Sequence, residues 1–231
     1  MKALQNYLEI FLNSKNYNFF EYYAHNNLDK NISCFGLNIK RDKIISIKKY
    51  LSFTNSPNLT PFLKLPFSKS LLKNKDTDPT TISSPSIALK YYPENNIFRN
   101  YFHIKFNRTT IDKNKNYFTP SNHLLKDCTV KKAGISIENN KIIKYFYFNT
   151  DSYLLTILGK KFNFNNLCIP KKIEYVEYKS KNKFIIDENT SPCILNDNKV
   201  LSIIEYIDKT LNMKYKTCGK DSEGVISLYF F

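Results

Sequence analysis

Residues 99–108 read RNYFHIKFNR, and apolar and polar positions alternate through the stretch. In an extended chain Phe102, Ile104 and Phe106 share one face, and Tyr101, His103, Lys105 and Asn107 share the other. The same period of two runs through ISCFGLNIKRDKIISIKKYLSF. There Phe35, Leu37 and Ile39 alternate with Cys34, Gly36 and Asn38. After a turn at KRD, Ile45, Ile47, Leu51 and Phe53 alternate with Ser46, Lys48, Tyr50 and Ser52, with Lys49 the one polar intruder on the apolar side. This predicts a β-hairpin with one apolar and one polar face.

The pattern repeats. KKAGISIENNKIIKYFYFNT aligns without gaps on the first hairpin, matching Gly36 to Gly134, Ile39 to Ile137, Lys43 to Lys141, Ile44 to Ile142 and Ile45 to Ile143. SIALKYYPENNIFRNYFHIKFN predicts another hairpin turning at Pro93–Asn96. KKIEYVEYKSKNKFIIDE predicts one turning at Ser180–Asn182, and MKYKTCGKDSEGVISLYFF one turning at Gly219–Gly224. Helical spacing lies between them. Leu4, Tyr7, Leu8 and Phe11 predict an amphipathic first helix. Weaker patterns lie around 62–73, where Pro66 interrupts, at 121–126, and at 151–158, ending at Gly159. Residues 198–211 carry the best helix, with Val200, Leu201, Ile203, Ile204, Ile207 and Leu211, while 74–84 reads as a polar loop.

Ten antiparallel strands in sequence remove their unpaired edges by closing. Helices can cover a hairpin on one side only. The expected fold is therefore α+β: a ten-stranded antiparallel barrel of five αββα-type repeats, with helices outside and a polar lumen. Residues 1–231 form a single domain. Inward positions then include Lys48, Tyr50, Tyr101, His103, Lys105, Tyr145, Tyr147, Ser227 and Tyr229, with Lys90, Lys132, Lys183 and Lys216 as additions. The fourth hairpin is ambiguous: IEYVEY sends either Tyr175 and Glu177 inward, or Glu174 and Tyr178.

Composition narrows the chemistry. The net charge of +15 admits nucleic acid, an anionic surface or a small anion such as diphosphate, or simply a lysine-rich solvated surface. The lysines are dispersed, which weighs against a basic tail gripping nucleic acid or membrane. Only five glycines are present, too few for glycine-rich phosphate loops as the main device. Cys34, Cys128, Cys168, Cys193 and Cys218 are odd in number, with no CxxC and no zinc spacing. They read as reduced packing thiols. No signal peptide is evident at the N-terminus, and no stretch approaches the ~18 apolar residues of a membrane span, so a soluble cytoplasmic protein is expected.

An enclosure ringed by lysine and tyrosine suits one task in particular. Ammonium and phenol groups donate charge-assisted hydrogen bonds to a diphosphate. Tyrosine rings stabilise a cation and shield it from water. Ionising an allylic diphosphate requires both.

The αββα pattern, the five hairpins and Lys48-x-Tyr50 resemble the ABBA-type (PT-barrel) aromatic prenyltransferases, with the cyanobactin peptide prenyltransferases nearest. ISCFGLNIKRDKIISIKKYLSF and SIALKYYPENNIFRNYFHIKFN carry most of the likeness. The resemblance implies transfer of an isoprenyl group, from dimethylallyl or geranyl diphosphate for example, to an aromatic small molecule or peptide. Lys48, Tyr50, Lys105 and Tyr229 would hold diphosphate and shield the cation, with magnesium bound mainly through the diphosphate and no protein metal site. Family members are usually longer, and an acid often found in the lumen is missing from ISCFG. His103, Glu177 and Asp187 are the candidates to act as base in its place. Each residue also has a plainer role open to it. Lys48 could be a solvated strand lysine, Tyr145 and Tyr147 core packing, His103 a structural histidine, and Glu174 and Glu177 surface charges. Two other functions fit the composition: a tyrosine-rich β-surface stacking single-stranded nucleic acid, and a degenerate barrel acting as a partner protein.

Overall fold

The computed structural model describes residues 1–27, 31–53, 82–106, 108–113, 115–116, 118–125, 128–138, 141–149, 154, 156, 172–178, 181–188 and 197–231. Ten antiparallel strands close into one barrel. They are β1 (Asn31–Lys40), β2 (Lys43–Phe53), β3 (Ile82–Tyr92), β4 (Ile97–Phe106), β5 (Val130–Glu138), β6 (Lys141–Asn149), β7 (Lys172–Tyr178), β8 (Lys181–Glu188), β9 (Tyr215–Asp221) and β10 (Ile226–Phe230). Each strand pairs with its neighbours in sequence, and β10 closes the ring on β1. Among the described residues the helices with defined bounds are α1 (Lys2–Leu12), α2 (Lys15–Asn27), the short α3 (Arg108–Lys113) and α4 (Asn198–Leu211). Among the described residues no helix is long and apolar enough to cross a membrane.

Local chemistry explains where the elements begin and end. Arg41 and Asp42 both take positive φ, 46° and 65°, so a two-residue turn of the mirror-image type joins β1 to β2. A 3-10 turn at Pro93–Asn95 and a left-handed Asn96 join β3 to β4. Asp197 caps α4 by accepting the Lys199 amide at 2.9 Å, and left-handed Asn212 ends the helix. Asp221 accepts the amides of Glu223 and Val225 at 3.0 and 2.8 Å, fixing the turn into β10.

The helices cover the apolar face of the strands. Leu4, Leu8 and Phe11 of α1 are buried, and the Phe11 ring meets Phe35, Tyr91 and Phe98 at 6.2–6.3 Å. Val200 and Ile207 of α4 join the same core as Cys218, Leu228 and Phe230. A second cluster covers β5 to β8, built from Leu125, Phe146, Phe148, Leu154, Ile173, Tyr175 and Phe184. Each large apolar side chain so buried contributes roughly 1.5–3 kcal/mol.

Several expectations change. Helix α2 is not evident in the periodicity, yet it resolves the Lys49 anomaly. Lys49 is buried on the apolar face and its ammonium reaches Glu21 of α2 at 3.2 Å. Strand β3 begins at Ile82, inside the stretch read as a polar loop. Gly219 lies within β9, so the last turn starts only after Asp221. Strand β8 begins at Lys181, so Lys181 and Asn182, expected in the fourth turn, belong to the strand. The expected turn of helix at 121–126 is a single 3-10 turn, His123–Leu125. The expected helix at 62–73 and the cap at Gly159 lie outside the described residues, as does most of 151–158, of which Leu154 and Thr156 are helical.

Candidate functional site

Directly paired strand residues share a face, so register identifies the row opposite the helices. Tyr50 pairs with Cys34 and Ala88, and Ala88 with Tyr101. His103 pairs with Ser86 and Ser136, Lys105 with Gly134, and Gly134 with Tyr145. Tyr147 pairs with Lys132 and Glu174, Tyr229 with Gly36 and Thr217, and Ser227 with Asn38 and Gly219. Ala88, Val176 and Ile185 share the row, so it is not uniformly hydrophilic.

Contacts that skip a strand show that these side chains meet across the concave side. The Tyr50 ring of β2 lies 6.4 Å from Tyr101 of β4 and 6.2 Å from Tyr229 of β10. The Tyr101 and Tyr145 hydroxyls are 3.3 Å apart, on β4 and β6. Ser136 Oγ donates to Tyr101 Oη at 2.9 Å and lies 2.7 Å from His103 Nδ1, while Tyr147 Oη lies 3.3 Å from His103 Nε2. The His103 ring stands edge-on to Tyr145 at 5.0 Å and parallel to Tyr101 at 6.3 Å. Tyr50, Tyr101, Tyr145, Tyr147 and Tyr229 stay half-buried, unlike Phe35 and Leu37 on the helix side, which are sealed.

Two glycines make this crowding possible. A Cβ on Gly134 would sit 2.9 Å from both His103 Cε1 and the Ile104 carbonyl. On Gly36 it would sit 3.3 Å from the edge of the Tyr50 ring and 3.6 Å from Tyr229. The glycines matched in the sequence repeat thus clear space for inward rings in both hairpins.

The cations stand beside these rings. Lys48 Nζ is 5.8 Å from the Tyr50 ring centre, and Lys105 Nζ is 5.5 Å from that of Tyr147. Lys90 pairs with Lys48 in register and lies 4.4 Å over Tyr92. Lys183 is bonded to Asp221 at 2.9 Å, Lys132 is exposed, and Lys216 lies 3.9 Å over Phe231. Ser227 Oγ donates to Asn38 Oδ1 at 3.0 Å. Asn107 lies outside the described residues.

Burial governs protonation here. It pushes the Tyr50, Tyr145, Tyr147 and Tyr229 phenols well above their usual range, with neighbouring acidic groups adding to the effect. Cys34 is pushed up to about 11, chiefly by burial. Burial, and then Lys105, lowers His103 to about 3. His103 is therefore an uncharged hydrogen-bonding group at neutral pH and a poor reservoir for protons.

One acid, Glu177, is placed differently from the sequence expectation. Glu177 lies on the helix side. It pairs with Lys144 and Asn182, and its carboxylate accepts from the Ser121 amide and hydroxyl. It does not join the tyrosine cluster. The reason is register: Ile173 and Tyr175 belong to the outer apolar cluster, and residues of that parity share their face. Asp187 pairs with Gly219, which pairs with Ser227, so by register it shares the row opposite the helices. Glu174 shares that row as well, set beside Tyr147 in register. After burial, its charge contributes to the raised Tyr147, Tyr229 and Tyr145 phenols. The signal for it was Ile173, whose apolar parity leaves Glu174 on the other row.

Among the described residues no group of three or more His, Cys, Asp and Glu side chains is placed to hold a metal ion. In comparison with known proteins, no family model and no curated protein matches this chain.

Proposed function

We propose that the barrel is a prenyltransferase, moving an isoprenyl group from an allylic diphosphate to an aromatic or peptide nucleophile held on its inner face. The observation that carries this reading is the joining of tyrosines from β2, β4, β6 and β10 around one space, with Lys48 and Lys105 ammoniums over two of their rings. Lys48 and Lys105 would bind the diphosphate and stabilise the charge it gains as the C–O bond breaks. The rings of Tyr50, Tyr101, Tyr147 and Tyr229 would flank the allylic cation and exclude water. Glu174 would receive the proton that the acceptor releases on bond formation, a role better suited to a carboxylate than to His103 held at about 3. Magnesium would arrive with the diphosphate as part of the substrate, and no step here is routed through it.

The test is incubation with dimethylallyl, geranyl and farnesyl diphosphates and a panel of phenol, indole and tyrosine- or tryptophan-containing peptide acceptors, followed by mass spectrometry. A prenyl mass increment on one acceptor class, lost in Lys48→Ala and Lys105→Ala, supports the assignment. Absence of any increment, with tight salt-sensitive binding of single-stranded oligonucleotides instead, would favour the nucleic-acid reading.

A further inference from the structure

The hydrogen bonds behind the tyrosines have a readable direction. Ser136 carries one hydroxyl proton and donates it to Tyr101 Oη at 2.9 Å. The 2.7 Å contact between Ser136 Oγ and His103 Nδ1 must then be a donation from Nδ1–H. An uncharged imidazole protonated at Nδ1 has a bare Nε2, so the 3.3 Å contact with Tyr147 is donated by the phenol. The Tyr101 and Tyr145 hydroxyls lie 3.3 Å apart, and either can donate to the other.

The geometry points to an oriented hydroxyl dipole: Ser136 locks His103 as its Nδ1–H tautomer, this commits the O–H bond of Tyr147 to His103 Nε2, and the negative end of the Tyr147 oxygen is left to stabilise a cation beside the tyrosine rings. His103 and Ser136 are thus positioning residues that act through Tyr147. The inference rests on the prenyl-transfer reading and deepens it. It adds a preorganised oxygen dipole to the ring faces as a source of cation stabilisation. Gly134 belongs to the device, since only a residue without a Cβ leaves the imidazole in place.

Two measurements on the intact protein, without diphosphate or acceptor, test it. The first is long-range 1H–15N correlation of the imidazoles at pH 7. His103 is assigned by its loss in His103→Gln from a chain with three histidines. The expected result is Nδ1–H, with the Nε2–H form appearing in Ser136→Ala and the native tautomer restored in Ser136→Thr. An Nε2–H native tautomer overturns the proposal. The second is binding of choline against 3,3-dimethylbutan-1-ol, its isostere without charge. The native protein should prefer the cation by about tenfold or more, and Ser136→Ala should lose most of that preference, as fits an oriented dipole and aromatic faces acting together. Equal preference in both proteins overturns the proposal. If both results hold and no prenyl transfer is found, the oriented dipole stands and the catalytic reading falls.

Discussion

The first and third hairpins are built from nearly the same sequence pattern, yet they run one residue out of phase. Their turns match: Lys40 pairs with Lys43 in one, and Glu138 with Lys141 in the other. In the first, Ile39 pairs with Ile44 and Asn38 with Ser46, so Ile45 bulges out. In the third, Ile137 pairs with Ile142 and Ser136 with Ile143, without a break at that point. Beyond the bulge, Gly36 faces Lys48 and Gly134 faces Tyr145, while Phe35 pairs with Lys49 and Ala133 with Phe146. A single extra residue thus changes what an identical frame presents. On the row opposite the helices one hairpin offers a lysine and a tyrosine, and the other offers two tyrosines backed by a histidine. On the outside one carries a buried lysine paired with a partly exposed glutamate of α2, where the other carries a sealed phenylalanine.

The largest expected effect separates the two sides by pH. His103 is held at about 3, below its ordinary 6.5, by burial and by Lys105, among the raised phenols of Tyr145 and Tyr147. The stability gained by keeping it neutral is fully present above 6.5 and is lost as pH falls toward 3, because the unfolded chain takes up the proton first. At ~1.4 kcal/mol per unit, the swing reaches several kcal/mol. Denaturant titrations from pH 7 to 4 should show His103→Gln with a markedly flatter profile than the native protein; parallel profiles would count against the burial assigned to His103. The first hairpin behaves in the mirror sense. Cys34 is raised from 9.0 to about 11, so its contribution is present below 9 and is lost as pH rises toward 11. Cys34→Ala should flatten only that alkaline limb.

The two glycines sharpen the comparison next. Gly134→Ala forces a Cβ against a backbone carbonyl and should cost about 2 kcal/mol. Gly36→Ala meets a movable tyrosine ring and should cost under ~1 kcal/mol, offset in part by lower chain entropy in the unfolded state. Equal losses in urea unfolding would mean that the His103 side is no tighter than the Tyr50 side.

On the outer face, Glu21→Ala strands a buried lysine and should cost about 1–2 kcal/mol. Lys49→Met together with Glu21→Ala should recover most of the loss, since an apolar pair avoids the desolvation penalty. Failure of the double variant to recover would mean that Lys49 is better hydrated than its burial implies.

The smallest effect concerns the turn. Arg41 and Asp42 occupy the left-handed region that Asn-Gly fills more readily, so that replacement should raise the unfolding midpoint by an amount equivalent to ~0.5–1 kcal/mol. A lower midpoint would contradict the turn geometry.

The strands were legible because a period of two survives in a lysine- and isoleucine-rich chain: Phe102, Ile104 and Phe106 are buried on one side, and Tyr101, His103 and Lys105 lie on the other. The same alternation groups Lys48, Tyr50, Tyr101, His103, Lys105, Tyr145, Tyr147, Ser227 and Tyr229, the residues expected to face inward. Three features were hidden. Helix α2 buries Phe20, and KNYNFFEYYAHNN has too weak a stripe to stand out. The bulge at Ile45 sits among neighbouring isoleucines, where a shift of one residue leaves the apolar pattern almost unchanged. In IEYVEY tyrosine suits either face, and only the pairing of Tyr175 with Phe146 and Phe184 decides that Glu174, not Glu177, looks inward.

The most direct measurement is calorimetric titration with geranyl thiolodiphosphate, a slowly ionising allylic diphosphate, into the native protein, Lys48→Ala, Lys105→Ala and Lys199→Ala. The last is an exposed lysine paired with Asp42 outside the barrel. One equivalent should bind to the native protein and to Lys199→Ala alike, and each inner-face variant should bind at least about tenfold more weakly, the loss of one charge-assisted contact. No binding to the native protein, or an equal loss in all three variants, would show that the positive charge of this barrel acts from its outer surface and not from within.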